Sequence, residues 1–162
     1  MSLLTTDISD DLGDDARVAD TGFTDYGRRL LFNGIISTVK CHEDNSIVRQ
    51  ALEEPGNGRV LVVDGGASLR CALFGDMLAT LAEENDWVGL VVNGCIRDSA
   101  EIASIDIGLK ALATHPRKSV KRGVGERDIT VHFAGIDFRP GEQLYADSDG
   151  IVVTAQPVSR SR

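Results

Sequence analysis

Apolar and polar positions follow two different periods along the first two thirds of the chain. Compact apolar runs of strand length lie at residues 34–41, 59–64 and 87–92, and the last two are continuous enough for strands buried on both faces. Between the runs, apolar residues recur at helical spacing over residues 47–52 and 77–82. The pattern therefore predicts alternating strands and helices.

The remaining positions predict a change of architecture towards the C-terminus. Short helices are expected at residues 7–12 and 98–103, and a strand is expected at residues 105–113. A loop rich in lysine and arginine then runs from residue 115 to residue 128. Turn-separated segments predict three last strands, at residues 129–133, 143–146 and 151–155. The expected fold class is α/β, with strand-helix units followed by a hairpin-rich C-terminal part.

Length and composition favour one soluble, folded domain. The chain has 162 residues, 42% of them hydrophobic and 26% charged, so a single domain over residues 1–162 can bury a core. Residues 156–162 are expected to form a flexible tail. The formal charge of −8 is concentrated in aspartates near the N-terminus, which disfavours direct binding of nucleic acid or of anionic membranes. No apolar run is long enough to span a bilayer.

The cysteines and the first residues indicate a compartment. Cys41, Cys71 and Cys95 are odd in number and lie in apolar runs, so buried free thiols are expected rather than a disulfide framework. Residues 1–7 lack the basic region and apolar core of a signal peptide. A cytoplasmic location is the expectation that follows.

The first half of the candidate site is the start of a predicted helix. Gly75, Asp76, Met77 and Leu78 follow a strand-like run and open the helix over residues 77–82. The free N–H groups and the positive dipole end of a helix start can bind a carboxylate or a phosphate, and glycine lets a ligand approach. A simpler interpretation is that Asp76 only caps this helix, because aspartate is a preferred capping residue.

Arg97 and Asp98 form the second half of the candidate site and follow the next strand. The guanidinium offers a fork for a substrate carboxylate, and the aspartate offers a hard oxygen ligand for Mg²⁺ or Mn²⁺. Asp98 and Glu101 also have the spacing of a capping box, which would make both acids structural. Function is favoured by position, because ligands of open α/β sheets collect beyond the carboxyl ends of strands.

Other chemistries find less support in the sequence. Three scattered histidines give no zinc motif, no serine has a nucleophile-elbow context, and no lysine has surroundings that would activate it for a Schiff base. The basic loop contains no aromatic residue for stacking bases, so we expect a solvated or subunit-contact loop, with anion binding as the second interpretation. Its cations are Arg117, Lys118, Lys121, Arg122 and Arg127.

Four motifs together resemble the RraA-like family, over nearly the whole chain from about Asp7 to Ala155. The motifs are residues 59–66 (RVLVVDGG), 94–98 (GCIRD), 105–108 (IDIG) and 145–151 (YADSDGI). The family includes the regulator of ribonuclease E activity and the metal-dependent 4-hydroxy-4-methyl-2-oxoglutarate aldolases, which also decarboxylate oxaloacetate. The aldolase branch is marked by aspartate, twenty intervening residues and then Arg-Asp, and Asp76 with Arg97 and Asp98 matches this spacing.

The resemblance implies a fold, an assembly and a chemistry. It implies a swivelling β/β/α domain, a homotrimer with sites near subunit contacts, and a divalent metal cation, Mg or Mn. It further implies that Arg97 and the amides of residues 75–78 hold a small 2-oxo acid, that Asp98 ligates the metal, and that Asp76 orders water. The implied activity is release of pyruvate from 4-hydroxy-4-methyl-2-oxoglutarate, with oxaloacetate decarboxylation as a companion reaction through the same enolate.

Two other functions are implied by other members of the family. The alternative is a non-catalytic protein that inhibits a ribonuclease E-type endoribonuclease by protein contact and needs no metal. A menaquinone-pathway methyltransferase is the third label given to relatives. It is disfavoured because the sequence lacks the complete Gly-x-Gly-x-x-Gly spacing of a nucleotide-binding loop.

Overall fold

Strands dominate the structure. The computed structural model describes residues 3–159, and twelve strands lie within this part of the chain. They are β1 (Arg17–Val18), β2 (Thr24–Asp25), β3 (Phe32–Lys40), β4 (Val60–Asp64), β5 (Ala72–Phe74), β6 (Gly89–Ile96), β7 (Gly108–Thr114), β8 (Glu126–Arg127), β9 (Val131–Phe133), β10 (Ile136–Phe138), β11 (Gln143–Asp147) and β12 (Gly150–Thr154). The α-helices are α1 (Thr5–Leu12), α2 (Ser46–Glu53), α3 (Asp76–Glu84) and α4 (Ser99–Ile102), and Gly13–Asp15 forms a 3-10 turn.

Ten of the strands form one mixed sheet. Its main path is β1-β12-β11-β3-β4-β6-β7-β2, while β5 pairs with β6 and β8 pairs with β3. The central strands β3, β4, β6 and β7 are parallel, and the flanking strands are antiparallel to their neighbours. Parallel neighbours need crossover connections, which here contain α2, α3 and α4. The predicted order of strand-helix units followed by hairpins is confirmed.

Two apolar layers cover opposite faces of the central sheet. Successive side chains of a strand point to opposite faces, so Leu61 and Val63 of β4 join one cluster while Val60 and Val62 join the other. The first cluster includes the buried faces of α2 and α3, and the second includes the β9–β10 hairpin. Burial on both faces explains why the central strands are continuous apolar runs in the sequence.

The structure differs from the predicted elements mainly around short segments. A strand-like run was expected before Gly75 but without bounds, because three residues carry no period; in the structure this run is β5, which pairs with β6. The strand expected from residue 105 begins at Gly108 instead. In the predicted tail, the N–H of Val158 donates to the Tyr145 hydroxyl at 2.7 Å, and residues 160–162 lie outside the described residues. No helix within residues 3–159 is long and apolar enough to cross a membrane.

A buried carboxylate anchors α1 to the sheet. Asp147, 6% exposed at the end of β11, accepts hydrogen bonds from the N–H and the hydroxyl of Thr5, both at 2.7 Å. It also accepts the N–H of Asp149 at 3.0 Å. Burial raises the pKa of Asp147, but the bonds from Thr5 and from the N–H groups of Asp149 and Gly150 outweigh burial and lower that pKa. The ionised form therefore stabilises the fold.

Asp147→Asn should lower the free energy of unfolding by about 2 kcal/mol at pH 7, because an amide cannot accept all of these bonds. Since folding lowers the pKa of Asp147, its stabilisation is present above the ordinary aspartate range and declines as pH falls below about 4. Urea unfolding of wild type and variant at several pH values measures the difference. Asp149→Asn, a change in the same exposed turn, is the matched control, and a difference that stays constant down to pH 3 would contradict the assignment.

Candidate active site

The candidate site is built where β5 and β6 end side by side. The two strands pair in parallel, with Phe74 opposite Ile96, and the N–H of Arg97 donates to the carbonyl of Phe74 at 2.9 Å. The chain then leaves β5 through Gly75 into α3 and leaves β6 through Asp98 into α4. Both polar segments predicted from the sequence are thus at one edge of the sheet, at the carboxyl ends of strands.

Asp98 links the two halves of the site. Its Oδ2 accepts the N–H of Asp76 at 3.2 Å, so the carboxylate satisfies the first free amide of α3. Gly75 is the N-cap of that helix, and the idea that Asp76 is the cap is wrong. The capping-box interpretation is also wrong, because the Asp98 side chain makes no capping bond to α4. Asp98 adopts a left-handed backbone conformation (φ 59°, ψ 40°), which aspartate tolerates better than most residues.

Gly75 is required by close approach. Its φ of −141° is open to any residue, so backbone freedom is not the reason for glycine here. A Cβ at this position would lie 2.8 Å from Oδ2 of Asp98 and 3.4 Å from Cγ of Arg97. The side chains of Arg97 and Asp98 therefore pack directly over the Gly75 backbone.

Arg97 is an unpaired cation between the two halves of the site. Its side chain is partly buried, and it makes no hydrogen bond or ion pair with any of residues 3–159. The next amides of α3, those of Met77 and Leu78, lie in the first turn, where N–H groups have no intrahelical acceptor. A guanidinium and a helix N-terminus thus face the same space, and both favour an anion.

These groups border a cavity of about 100 Å³. Roughly 10–15 Å³ of such space is enough to hold one water molecule, so the cavity has room for a small organic ligand. All six predicted site residues line it: Gly75, Asp76, Met77, Leu78, Arg97 and Asp98. Its charged lining comprises four cations and two acids, which makes this part of an acidic protein locally positive: Arg49, Arg97, Lys118, Lys121, Asp76 and Asp98.

Several lining residues were not predicted as parts of the site. Asn45 and Arg49 come from the start of α2, and Lys118, Ser119 and Lys121 come from the basic loop. A signal for α2 was present, because it follows β3 and so begins at the same edge of the sheet. The loop residues carry no comparable signal, since only tertiary contacts bring the loop to β5, including the 2.7 Å bond from the Ala72 N–H to the Arg117 carbonyl.

The donor set at the strand ends fits a cation that keeps most of its ligands outside the protein. No group of three or more His, Cys, Asp or Glu side chains within residues 3–159 could enclose a metal ion. Asp98 is exposed, and Oδ1 accepts no hydrogen bond from the described residues, so this oxygen is available. Mg²⁺ is commonly bound through one or two carboxylates, with water and substrate oxygens completing the shell. The residues present are therefore compatible with Mg²⁺ or Mn²⁺.

The cysteines take no part in this site. Cys41, Cys71 and Cys95 are free and buried, as predicted. Burial, with smaller contributions from Asp44 and Asp64, raises the pKa of the Cys41 thiol to about 12, and burial also raises the pKa values of Cys71 and Cys95. The thiols are thus poor nucleophiles and poor metal ligands at neutral pH.

The fold and site together define a mixed α/β protein with a small pocket, lined by more cations than acids, at the ends of strands. The chain belongs to the RraA-like family, whose model, described as Aldolase/RraA, matches residues 5–153. This confirms the resemblance drawn from the four sequence motifs.

Similar proteins bear three different names. A protein of Alkalilimnicola ehrlichii named 4-hydroxy-4-methyl-2-oxoglutarate aldolase is 62% identical over 94% of this chain and 95% of its own length. One of Laribacter hongkongensis with the same name is 52% identical over 98% and 99%. Among solved structures, the RNA-processing inhibitor RraA from Thermus thermophilis has a TM-score of 0.95 and 44% identity, covering 100% of this chain and 98% of that one. An S-adenosylmethionine:2-dimethylmenaquinone methyltransferase from Geobacillus kaustophilus has a TM-score of 0.95 and 45% identity, covering 98% and 99%.

Gly75→Ala should disable the pocket without unfolding the protein. The added methyl group must displace the Asp98 carboxylate, and small misplacements of binding groups are costly, so the Kd of oxalate in the presence of Mg²⁺ should rise at least about tenfold. Isothermal titration calorimetry measures this. Gly94→Ala is the control, because its methyl group would meet Leu73 at 3.3 Å rather than a site residue. Equal loss of oxalate binding in both variants would show that Gly75 has no special role.

Proposed function

We propose that this protein is a divalent-metal-dependent lyase that cleaves 4-hydroxy-4-methyl-2-oxoglutarate into two molecules of pyruvate and also decarboxylates oxaloacetate. The carrying observation is the unpaired Arg97 guanidinium beside Asp98, over the start of α3. The names of relatives that are 50–62% identical over most of the chain support the same reaction.

The pyruvate half of the substrate is proposed to bind between Arg97 and α3. The guanidinium can pair with the substrate carboxylate through two parallel hydrogen bonds, and the amides of Met77 and Leu78 can donate to its oxygens. Asp98 would hold Mg²⁺ or Mn²⁺, which when bound supplies Lewis acidity at the 2-oxo group. The backbone N–H of Asp76 donates to Asp98, and the side-chain carboxylate of Asp76 is proposed to order a water molecule in the pocket.

The proposed reaction develops negative charge where the pocket is positive. The C4 hydroxyl gives its proton to the water that Asp76 is proposed to order, the C3–C4 bond breaks, and its electron pair forms the enolate of one pyruvate while the other pyruvate departs. The enolate then takes a proton at C3, and the water ordered by Asp76 is the proposed proton carrier. Arg97 stabilises the enolate as it forms. Loss of CO₂ from oxaloacetate leaves the same enolate, so one site serves both reactions.

The second carboxylate of the substrate is assigned to the basic loop. Both proposed substrates are dicarboxylates, and Lys118 and Lys121 line the cavity without an ion pair among residues 3–159. Arg49 also lines the cavity, but its Nε lies 3.9 Å from Oε2 of Glu53, so the charge of Arg49 is partly compensated. These cations would favour dicarboxylates over pyruvate itself.

Oxaloacetate with Mg²⁺ or Mn²⁺ should yield pyruvate faster with the protein than without it, and a chelator should abolish the difference. A lactate dehydrogenase-coupled assay follows pyruvate, and metal-containing tubes without protein fix the background. Asp98→Asn and Arg97→Ala should each lower kcat/KM by at least about 100-fold, as expected for removing a group that binds developing charge. Glu101→Gln, in α4 beside the site, is the control. Pyruvate at the background rate in every tube would refute the proposal.

The proposal includes a homotrimeric assembly and a cytoplasmic location. A homotrimer is proposed from the family resemblance. Met77 in the lining of the pocket, and Val120 and Val124 in the basic loop, are exposed apolar side chains that a neighbouring subunit could cover. Three free cysteines within the described chain support the cytoplasm, where thiols stay reduced.

Protein-mediated inhibition of a ribonuclease E-type endoribonuclease is the second candidate function. It is favoured by the similarity to the Thermus RNA-processing inhibitor. If it holds, added protein should slow RNA cleavage by the nuclease, and Asp98→Asn should inhibit as well as wild type, because the contact needs no metal. Gel analysis of a labelled RNA measures cleavage, with albumin at the same concentration as control. Unchanged cleavage at protein concentrations well above that of the nuclease would exclude this function.

A further inference from the structure

Residues 115–125, the part of the basic loop between β7 and β8, are bound to the rest of the protein by hydrogen bonds. At its start, the Ala72 N–H binds the Arg117 carbonyl at 2.7 Å. Its middle and end are bound by one segment, residues 43–46, between β3 and α2. The Val120 N–H donates to the Glu43 carbonyl at 3.3 Å, and the Ser119 hydroxyl donates to the Asn45 side chain at 2.9 Å.

Asp44 is the centre of this attachment. Its Oδ2 accepts the N–H groups of Arg122 at 2.9 Å and of Val124 at 3.1 Å. Its Oδ1 accepts the N–H and the hydroxyl of Ser46, at 2.9 and 2.6 Å, at the first turn of α2. The Ser46 hydroxyl oxygen in turn accepts the N–H of Gly123 at 3.1 Å. One carboxylate thus fixes both the start of α2 and the return of the basic loop.

Asp44 is buried and is stabilised by hydrogen bonds rather than by an ion pair. The residue is 4% exposed, and no cationic side chain within residues 3–159 forms an ion pair with it. Burial raises the pKa of Asp44, but the Ser46 hydroxyl and the N–H groups of Ser46, Val124 and Arg122 lower it to about 2. A buried carboxylate that is compensated by N–H groups and one hydroxyl, rather than by a cation, imposes a defined backbone shape, since each donor must point at it.

We propose that Asp44 is a positioning residue, which sets Lys118 and Lys121 of the basic loop, and Arg49 of α2, at the catalytic pocket and so determines its preference for dicarboxylates. Asp44 does not line the pocket, whereas all three cations do. The proposal rests on the lyase function proposed above for its substrate, but the attachment of the loop to Asp44 does not.

The attachment is tested first, by amide exchange. In Asp44→Asn, an N–H donor replaces one acceptor, so exchange at Arg122 and Val124, followed by NMR, should accelerate at least about tenfold. Asp147→Asn is the matched control, because it also removes a buried carboxylate bound by N–H groups but lies at the end of β11. It should lower global stability and leave exchange in the loop unchanged relative to the core. Unchanged exchange in Asp44→Asn would overturn the proposal.

The positioning role is tested by ligand selectivity. Calorimetry with Mg²⁺ should give a Kd for 2-oxoglutarate, which has the second carboxylate, about tenfold higher in Asp44→Asn than in wild type, while the Kd for pyruvate stays within about twofold. The KM for oxaloacetate should rise with it, and kcat should change little. Loss of affinity for both ligands in equal measure would indicate general disruption and would overturn the proposal.

A double-mutant cycle separates positioning from stability. In an Arg49→Ala, Lys118→Ala, Lys121→Ala background, Asp44→Asn should add at most about a twofold effect on 2-oxoglutarate binding, because the cations it positions are gone. Full additivity would overturn the proposal. If Asp44→Asn does not fold, Ser46→Ala gives the same tests with a smaller effect, since it removes the acceptor for Gly123 and one donor to Asp44. Wild-type protein that binds 2-oxoglutarate but makes no pyruvate would refute the lyase while leaving these tests intact.

Discussion

The site depends on the hydrogen bond between the Asp98 carboxylate and the Asp76 N–H. β5 and β6 run side by side, but their chains diverge into different helices after Phe74 and Ile96. The Asp98 side chain reaches across this divergence and takes the first free amide of α3. The helix start, the guanidinium of Arg97 and the available oxygen of Asp98 are thereby held around one small cavity. Gly75 permits the contact, because no side chain separates the two segments.

Sequence reasoning predicted the parts of the site better than their connections. β4 and β6 are buried on both faces, which leaves long apolar runs in the sequence, and α3 is buried on one face, which leaves a helical period of apolar residues. The 76–97–98 spacing identified the candidate residues, which do lie together. The hydrogen bond between Asp76 and Asp98 could not be predicted. The carboxylate that accepts the first amide of α3 comes from Asp98, 22 residues further along the chain, and such a contact leaves no pattern near Asp76. The basic loop was missed as a site element for the same reason, because tertiary contacts bring it to the pocket.

The charge distribution resolves an apparent conflict between an acidic protein and an anionic substrate. The net charge of −8 comes largely from aspartates at α1 and the following turn, which pack against β11 and β12. The strand-end region instead gathers Arg49, Arg97, Lys118 and Lys121 around the cavity. Over distances beyond about 10 Å salt screens the acidic end, so the local cations govern what binds. The net charge of the chain therefore does not indicate which ligands the pocket favours. That preference depends on which side chains the fold brings to the cavity.

Arg97 has a consequence for how the protein behaves without its ligand. The partly buried Arg97 guanidinium forms no ion pair among residues 3–159, and the four cations that line the cavity outnumber its two acids, Asp76 and Asp98. A bound dianion would add the charge that balances these cations, in addition to forming its own contacts. Ligand occupancy should accordingly raise the thermal stability of the protein.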